Sequence, residues 1–154
     1  VPYKRIDLVV KACTELQIPL KIAGEGRDLQ RLQSLAGDCV EFLGRVEDDL
    51  LPEIIADCRA LLFPGLEDFG ITPIQAMSAG IPVIAFAGGG ALDYVHNGQT
   101  GSLVPYQTVE AFTDSLGGFD DNEYDQASIR QYALGFDQSI FEKKMLEFVE
   151  TVLN

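Results

Sequence analysis

The chain has 154 residues, of which 47% are hydrophobic, and a formal net charge of -13. This length suits one domain with a sizeable core, and this composition excludes a disordered chain. The acidic balance disfavours binding to DNA or RNA, because contacts to phosphates need clustered lysine and arginine. No apolar run is long enough to span a bilayer and no signal peptide is visible, so we expect a cytoplasmic protein.

Short apolar runs alternate with helix-period segments along the chain. The apolar runs suit parallel strands that are covered on both faces, and they predict strands at 20–23, 40–43, 60–63, 83–86 and 101–104. The intervening and final segments predict helices at 6–15, 28–36, 48–58, 72–79, 91–96, 109–116, 125–134 and 137–153. Strands and helices in alternation predict an α/β fold with right-handed crossovers and a mostly parallel sheet.

The three cysteines, Cys13, Cys39 and Cys58, are scattered and show no C-x-x-C spacing. This pattern argues against a zinc site and against a disulfide framework. Cys13 and Cys58 fall in helix-patterned segments, where we expect buried, reduced thiols. The acidic stretch 117–125 lacks the glycine and the spacing of a calcium loop, so it is predicted to be a surface loop and not a metal site.

Four of the predicted strands run directly into glycines, at Gly24 and Gly26, Gly44, Gly65, and residues 88–90. In an open parallel sheet, ligands bind outside the carboxyl ends of the strands. Glycine lets the backbone come close to a ligand because it has no side chain. The sequence therefore predicts a ligand site at this edge of the sheet.

The segment after the third predicted strand, PGLEDFGITP, combines an acid, a glycine and a helix start. The N–H groups of residues 70–72 would point at a phosphate group if the helix began there, because helix N-termini favour anions. The alternative is a structural turn in which Asp68 or Thr72 caps the helix. GEGR at 24–27 is not a Walker A loop, since it lacks the Lys-Ser/Thr pair.

Three stretches of the chain together resemble a known family. FPGLEDFGITPIQAMSAGIPVIAF followed by GGGALDYVHNGQTGSLV resembles the C-terminal nucleotide-binding domain of family-four (group 1) retaining glycosyltransferases of the GT-B fold. VPYKRIDLVVKAC and KIAGEGRDLQRLQ are similar to the first helix and the second strand turn of that domain, and CVEFLGRVEDDLLPEIIADCRALLFP to its middle. The resemblance covers nearly the whole chain, is closest to mannosyl-type enzymes, and implies a Rossmann-like three-layer domain.

The resemblance implies a role for each matching residue. Lys4 would contact the diphosphate of the sugar donor, and Glu67 would lie near the transferred sugar; these two are the implied catalytic residues. The residues implied to bind the nucleotide sugar are Gly24, Gly26, Arg45, Val46, Phe69, Gly70, Ile71, Thr72 and Gln75. No cofactor and no metal are implied, and the nucleotide-diphosphate sugar, with GDP-mannose favoured, is a substrate.

The sequence departs from the family pattern in two ways. Position 75 is Gln where the family has a Glu that binds the ribose hydroxyls, and an amide offers one acceptor oxygen where a carboxylate offers two. The family strand that precedes VPYKRID and ends in an arginine is absent, as is the N-terminal acceptor-binding domain. That strand would be central, so we expect unpaired edges in the middle of the sheet and half of an active site.

The leading hypothesis is the donor-binding domain, residues 1–154, of an enzyme that transfers a hexosyl group, with mannosyl favoured, to an acceptor hydroxyl. The isolated chain would be inactive, its N-terminal domain would act in cis or in trans, and any peripheral membrane association would come through that domain. The alternative is a non-catalytic nucleotide-sugar-binding module or a subunit completed by a partner. A Rossmann-type NAD enzyme is disfavoured, because Leu29 occupies the third glycine position of G-x-G-x-x-G.

Overall fold

The computed structural model describes residues 2–153. Within that range strands and helices alternate through the first 117 residues, and two further helices follow. The strands are β1 (Leu20–Ala23), β2 (Val40–Gly44), β3 (Leu61–Phe63), β4 (Val83–Phe86) and β5 (Gly101–Val104). The helices are α1 (Ile6–Leu16), α2 (Leu29–Leu35), α3 (Leu51–Ala56), α4 (Ile71–Ser78), α5 (Ala91–Tyr94), α6 (Val109–Gly117), α7 (Gln126–Ala133) and α8 (Gln138–Leu153).

All strand pairs in the described residues are parallel, which confirms the predicted α/β class. β1 pairs with β2, with Leu20 opposite Val40, and β4 lies between β3 and β5, with Val83 opposite both Leu61 and Gly101. The strands nevertheless form two sheets, β1–β2 and β3–β4–β5, where the sequence predicts one. The division arises because β1 and β3 each pair along one edge, and no strand of residues 2–153 lies between their other edges.

The core lies on both faces of β4. Ile84 packs against α1 and α6 on one face, whereas Val83 and Ala85 pack against α4, α5 and α7 on the other. All three side chains are entirely buried, as expected for a strand in the middle layer of three. Cys13 of α1 belongs to the first of these clusters, and its burial raises the pKa of the thiol to about 11. The three cysteines are free; Cys13 is buried as the sequence predicts, whereas Cys58, which was also predicted to be buried, is only half-buried.

Most predicted elements have the predicted bounds to within one or two residues. The largest difference is α3, which spans Leu51–Ala56 in place of the predicted 48–58. The N–H of Leu50 bonds to the carbonyl of Glu47, so the segment before α3 forms a turn. The predicted surface loop 117–125 includes a 3-10 turn, Asp121–Glu123, and Arg59 forms an ion pair with Asp121.

A cavity of about 580 Å³ lies between the facing edges of β1 and β3. Its walls are mainly apolar side chains from both strands and from α1, α3 and α6. Lys4, Gly65 and Glu67 line it at the end where β3 finishes. The cavity therefore joins the unpaired edges of the two sheets to the edge at which the sequence predicts a ligand.

Candidate functional site

Lys4 and Glu67, the two implied catalytic residues, lie together although they are far apart in sequence. The Lys4 ammonium is 3.0 Å from Glu67 Oε1, with side chains that are 44% and 21% exposed. This ion pair lacks hydrogen-bond geometry, so Glu67 Oε1 is buried without a hydrogen-bond partner among the described residues. Gly65 permits the approach, because a side-chain carbon at that position would lie 3.0 Å from Lys4 Cα.

The turn that carries Glu67 is held by the glycines that follow β4. The N–H of Gly90 donates to the main-chain carbonyl of Glu67 at 2.9 Å. A side-chain carbon at Gly89 would overlap that carbonyl oxygen, and one at Gly90 would overlap the carbonyl oxygen of Asp68. These glycines thus let the chain's own backbone come close, whereas the sequence predicts that they let a ligand approach.

The helix α4 begins at this turn, with Gly70 as its N-cap in the left-handed region (φ 88°). No side chain among the described residues caps it, so the alternative in which Asp68 or Thr72 is the N-cap is wrong. Ile71 is 69% exposed and Thr72 is also exposed. An exposed N-terminus without a side-chain cap leaves its N–H groups available to an anion, and the helix dipole favours negative charge there.

A tyrosine that the sequence analysis did not single out, Tyr94, lies beneath the same turn. Its ring is entirely buried and makes edge contacts with Phe69 at 6.2 Å and with Phe136 at 6.5 Å between ring centres. A side-chain carbon at Gly70 would lie 2.7 Å from its hydroxyl oxygen. Burial, followed by the negative charge of Glu67, raises the pKa of Tyr94 to about 12, so the phenol stays protonated at neutral pH.

The residues implied to lie under the nucleotide occupy the carboxyl ends of β1 and β2. The N–H of Gly24 donates to the carbonyl of Gly44 at 2.6 Å, and both glycines have positive φ. Arg45 is exposed and makes no ion pair within residues 2–153, and Val46 beside it is half-buried. Gly24 and Gly26 thus follow β1, and Arg45 and Val46 follow β2, whereas Glu67 follows β3, whose edge faces β1 across the cavity.

Gln75 lies apart from Glu67. It is exposed on α4 and lines a second, smaller cavity of about 450 Å³ beside Asp48, Pro52 and Arg130. Nothing described in residues 2–153 joins its side chain to Glu67 by a hydrogen bond. Glu67 and Gln75 therefore line two different cavities.

The chemistry open to this arrangement is that of an anion-binding site with one acid beside it. Lys4 and the N-terminus of α4 supply positive potential, and Glu67 supplies an acceptor for hydroxyl groups. Within residues 2–153 no three His, Cys, Asp or Glu side chains are grouped so that they would hold a metal ion. Over the same range, no helix is both long enough and apolar enough to cross a membrane.

The chain matches a family of glycosyl transferases and is similar to several of its members. Its residues 1–135 match the family described as glycosyl transferases group 1. The GDP-mannose-dependent alpha-(1-6)-phosphatidylinositol monomannoside mannosyltransferase of Mycolicibacterium smegmatis is 32% identical over 135 residues, which are 76% of this chain and 35% of that protein. The phosphatidyl-myo-inositol mannosyltransferase of Mycobacterium leprae is 32% identical over 146 residues, or 88% of this chain and 38% of that protein.

A solved structure of HepE from Anabaena in complex with UDP-glucose has the same fold. The TM-score is 0.80 at 22% sequence identity, and the match covers 98% of this chain and 46% of that one. The chain thus spans less than half the length of each of these proteins. It belongs to the group 1 glycosyltransferases, is similar to the mannosyltransferases among them, and has the α/β fold of the C-terminal half of a GT-B enzyme.

Proposed function

We propose that this chain binds the sugar donor of a retaining glycosyltransferase. The donor is a nucleotide-diphosphate sugar, and the transferred group is a hexosyl, with mannosyl and GDP-mannose favoured. The observation that carries the proposal is the Lys4–Glu67 ion pair beside the uncapped N-terminus of α4. The GDP-mannose dependence of the Mycolicibacterium relative supports the choice of donor.

The diphosphate binds between Lys4 and the N–H groups of residues 70–72. A cation and a helix N-terminus both stabilise the charge that grows on the diphosphate as it leaves the sugar. Glu67, freed from Lys4 when the diphosphate arrives, accepts hydrogen bonds from sugar hydroxyls. Phe69 is 48% exposed beside this turn and covers the sugar.

The nucleoside lies over the carboxyl ends of β1 and β2. Gly24 and Gly26 let the protein backbone come close to the nucleoside. Arg45 and Val46 line the base, and Gln75 forms a hydrogen bond with one ribose hydroxyl. A neutral amide in place of a carboxylate gives up one charge-assisted hydrogen bond, which is worth about 1–3 kcal/mol. Donor binding is therefore weaker than it would be with Glu at position 75.

The acceptor hydroxyl attacks from the face on which the diphosphate leaves, so the anomeric configuration is retained. No residue of this chain acts as a covalent nucleophile in this scheme, and the nucleotide sugar is a substrate with no resident cofactor. The acceptor side of the cleft comes from an N-terminal domain, in cis or in trans. The chain alone binds the donor but does not transfer the sugar.

Calorimetric titration of the chain with GDP, GDP-mannose, UDP-glucose and ADP-glucose tests the proposal. We expect GDP and GDP-mannose to bind most tightly, and Lys4→Ala to weaken both about tenfold, because a charge-assisted contact to phosphate is lost. Lys11→Ala removes an exposed lysine of α1 and is the matched control. If the folded chain binds none of the four nucleotides, it is not a donor-binding domain.

A second titration tests the role of Gln75. Gln75→Glu restores a carboxylate that accepts two ribose hydroxyls, so we expect about tenfold tighter binding of GDP, the equivalent of one charge-assisted hydrogen bond. Gln33→Glu makes the same exchange on the exposed face of α2 and corrects for the added negative charge. Unchanged or weaker affinity of Gln75→Glu relative to Gln33→Glu removes Gln75 from the site.

A further inference from the structure

Two buried polar atoms near the candidate site have no hydrogen-bond partner within residues 2–153. One is the hydroxyl of Tyr94, and the other is Glu67 Oε1. A buried polar atom without a partner is costly, and native proteins keep few of them. Here the two are complementary, because a protonated phenol donates a hydrogen bond and a carboxylate accepts one.

Both groups are held around one turn. The Tyr94 hydroxyl lies under Gly70, and Glu67 is three residues before that glycine. The main-chain carbonyl of Glu67 is bonded to Gly90, the residue immediately before α5, which ends with Tyr94. The backbone therefore fixes the two side chains in the same neighbourhood, and the charge of Glu67 acts on the phenol.

The two side chains differ in their freedom to move. The Tyr94 ring is enclosed, with Phe69 and Phe136 packed against it edge to face. The Glu67 carboxylate is held by Lys4, whose own side chain is 44% exposed and able to turn toward a ligand. A ligand that draws Lys4 away thus releases Glu67, while the phenol stays in place.

We propose that Tyr94 is the positioning residue for Glu67 in the ligand-bound state. The inference rests on the proposed function: when a nucleotide diphosphate binds Lys4, the freed carboxylate turns and accepts a hydrogen bond from the Tyr94 hydroxyl. The Tyr94 hydroxyl, which has no partner within residues 2–153 of the free protein, is then paired, and Glu67 exchanges its ion pair with Lys4 for this hydrogen bond and is oriented toward the sugar. In the free protein the unpaired Tyr94 hydroxyl lowers the free energy of unfolding, whereas in the complex its hydrogen bond to Glu67 contributes to the affinity for the ligand.

The variant Tyr94→Phe, which removes the hydroxyl and keeps the ring, should raise the stability of the free protein and lower its affinity for the nucleotide sugar. Without nucleotide, we expect its urea midpoint to rise above that of the wild type, because a buried unpaired group is gone. Its affinity for GDP-mannose should fall about tenfold, the effect of one lost hydrogen bond to a charged group. Both quantities are measured on the folded chain, by urea unfolding and by calorimetry.

The matched control is Tyr132→Phe, in the same aromatic group. Its hydroxyl has partners, since it lies 2.9 Å from His96 Nε2 and donates to the carbonyl of Asp93 at 3.2 Å. Removing it should lower the urea midpoint and leave the affinity for GDP-mannose unchanged. If Tyr94→Phe likewise lowers the urea midpoint and leaves the affinity unchanged, the Tyr94 hydroxyl has a structural role alone, and the proposal is overturned.

A double-mutant cycle shows whether Tyr94 acts through Glu67. In the Glu67→Ala background, Tyr94→Phe should cause no further loss of GDP-mannose affinity, because the acceptor is already gone. Losses that add would show that Tyr94 acts independently of Glu67 and would overturn the proposal while donor binding stands. A wild-type chain that binds no nucleotide overturns the proposed function, and the role of Tyr94 with it.

Discussion

The two sheets of this domain differ both in the residues of their strands and in how the strands are covered: β1 and β2 each carry a charged residue, Lys21 and Glu41, whereas β3 and β4 are wholly apolar. β4 has a strand on each side and helices on both faces, and Val83, Ile84 and Ala85 are entirely buried. β1 has one partner strand, and its residues alternate between half-buried and exposed. Burial in this fold therefore follows both the hydrophobicity of a strand and the number of its paired edges.

The candidate site lies on the border between these two regions. Glu67 and α4 belong to the β3–β4–β5 half, which is densely packed, while Gly24 and Arg45 belong to the β1–β2 half. The cavity between β1 and β3 lies between the two halves, and Lys4 and Glu67 line it at the end where β3 finishes. A ligand that contacts both sets of residues would bridge two regions that are buried to different extents.

The largest test of this difference is a pair of truncations in β4 and β1. Ile84→Ala leaves a hole in a fully packed strand and should lower the free energy of unfolding by about 2–5 kcal/mol. Ile22→Ala removes a side chain that already borders the 580 Å³ cavity, and we expect a loss of about 1 kcal/mol or less. Urea unfolding measures both, and equal losses would show that the two halves are equally packed.

A smaller effect is expected from two glycines with positive φ in different surroundings. Gly89 (φ 57°) lies against the Glu67 carbonyl, whereas nothing lies within 4 Å of a side-chain carbon placed at Gly98 (φ 75°). Alanine has a conformational cost of about 1–2 kcal/mol at both sites. Gly89→Ala also displaces the Glu67 turn, which should cost about 1–3 kcal/mol more.

The comparison of Gly89→Ala with Gly98→Ala therefore isolates the contact from the backbone strain. Urea unfolding gives the difference in stability, and calorimetry should show that Gly89→Ala alone loses GDP binding. If both variants lose the same stability and both still bind GDP, the glycines after β4 do not hold the site.

The strands and the fold class were predictable from local sequence, because short apolar runs that alternate with helix-period segments are typical of buried strands in a parallel sheet. β1, β4 and β5 lie at the predicted bounds. The proximity of Lys4 and Glu67 was not readable from spacing, since it depends on long-range packing through Gly65. It followed from the family resemblance alone, as did the unpaired edges of β1 and β3.

Two features of the site escaped the sequence analysis for physical reasons. Tyr94 follows an apolar helix pattern, and such a tyrosine is ordinarily a core residue whose hydroxyl finds a partner. The three glycines at 88–90 resemble a ligand-binding turn, because close approach to backbone and close approach to phosphate need the same absence of Cβ. The three-dimensional contacts show the close approach to backbone at Gly89 and Gly90.

The smallest expected effect concerns single amides at the edge of β3. The Leu61 N–H donates to the carbonyl of Pro82, beside β4, at 3.0 Å. Successive residues of a strand direct their backbone groups to opposite sides, so the Leu62 N–H faces the cavity. Hydrogen exchange followed by NMR should therefore show the Leu62 amide exchanging about tenfold or more faster than that of Leu61. The amide of Ile84, between two strands, is the reference for a paired edge, and a Leu62 amide as slow as that of Ile84 would mean that the edge of β3 is paired in solution.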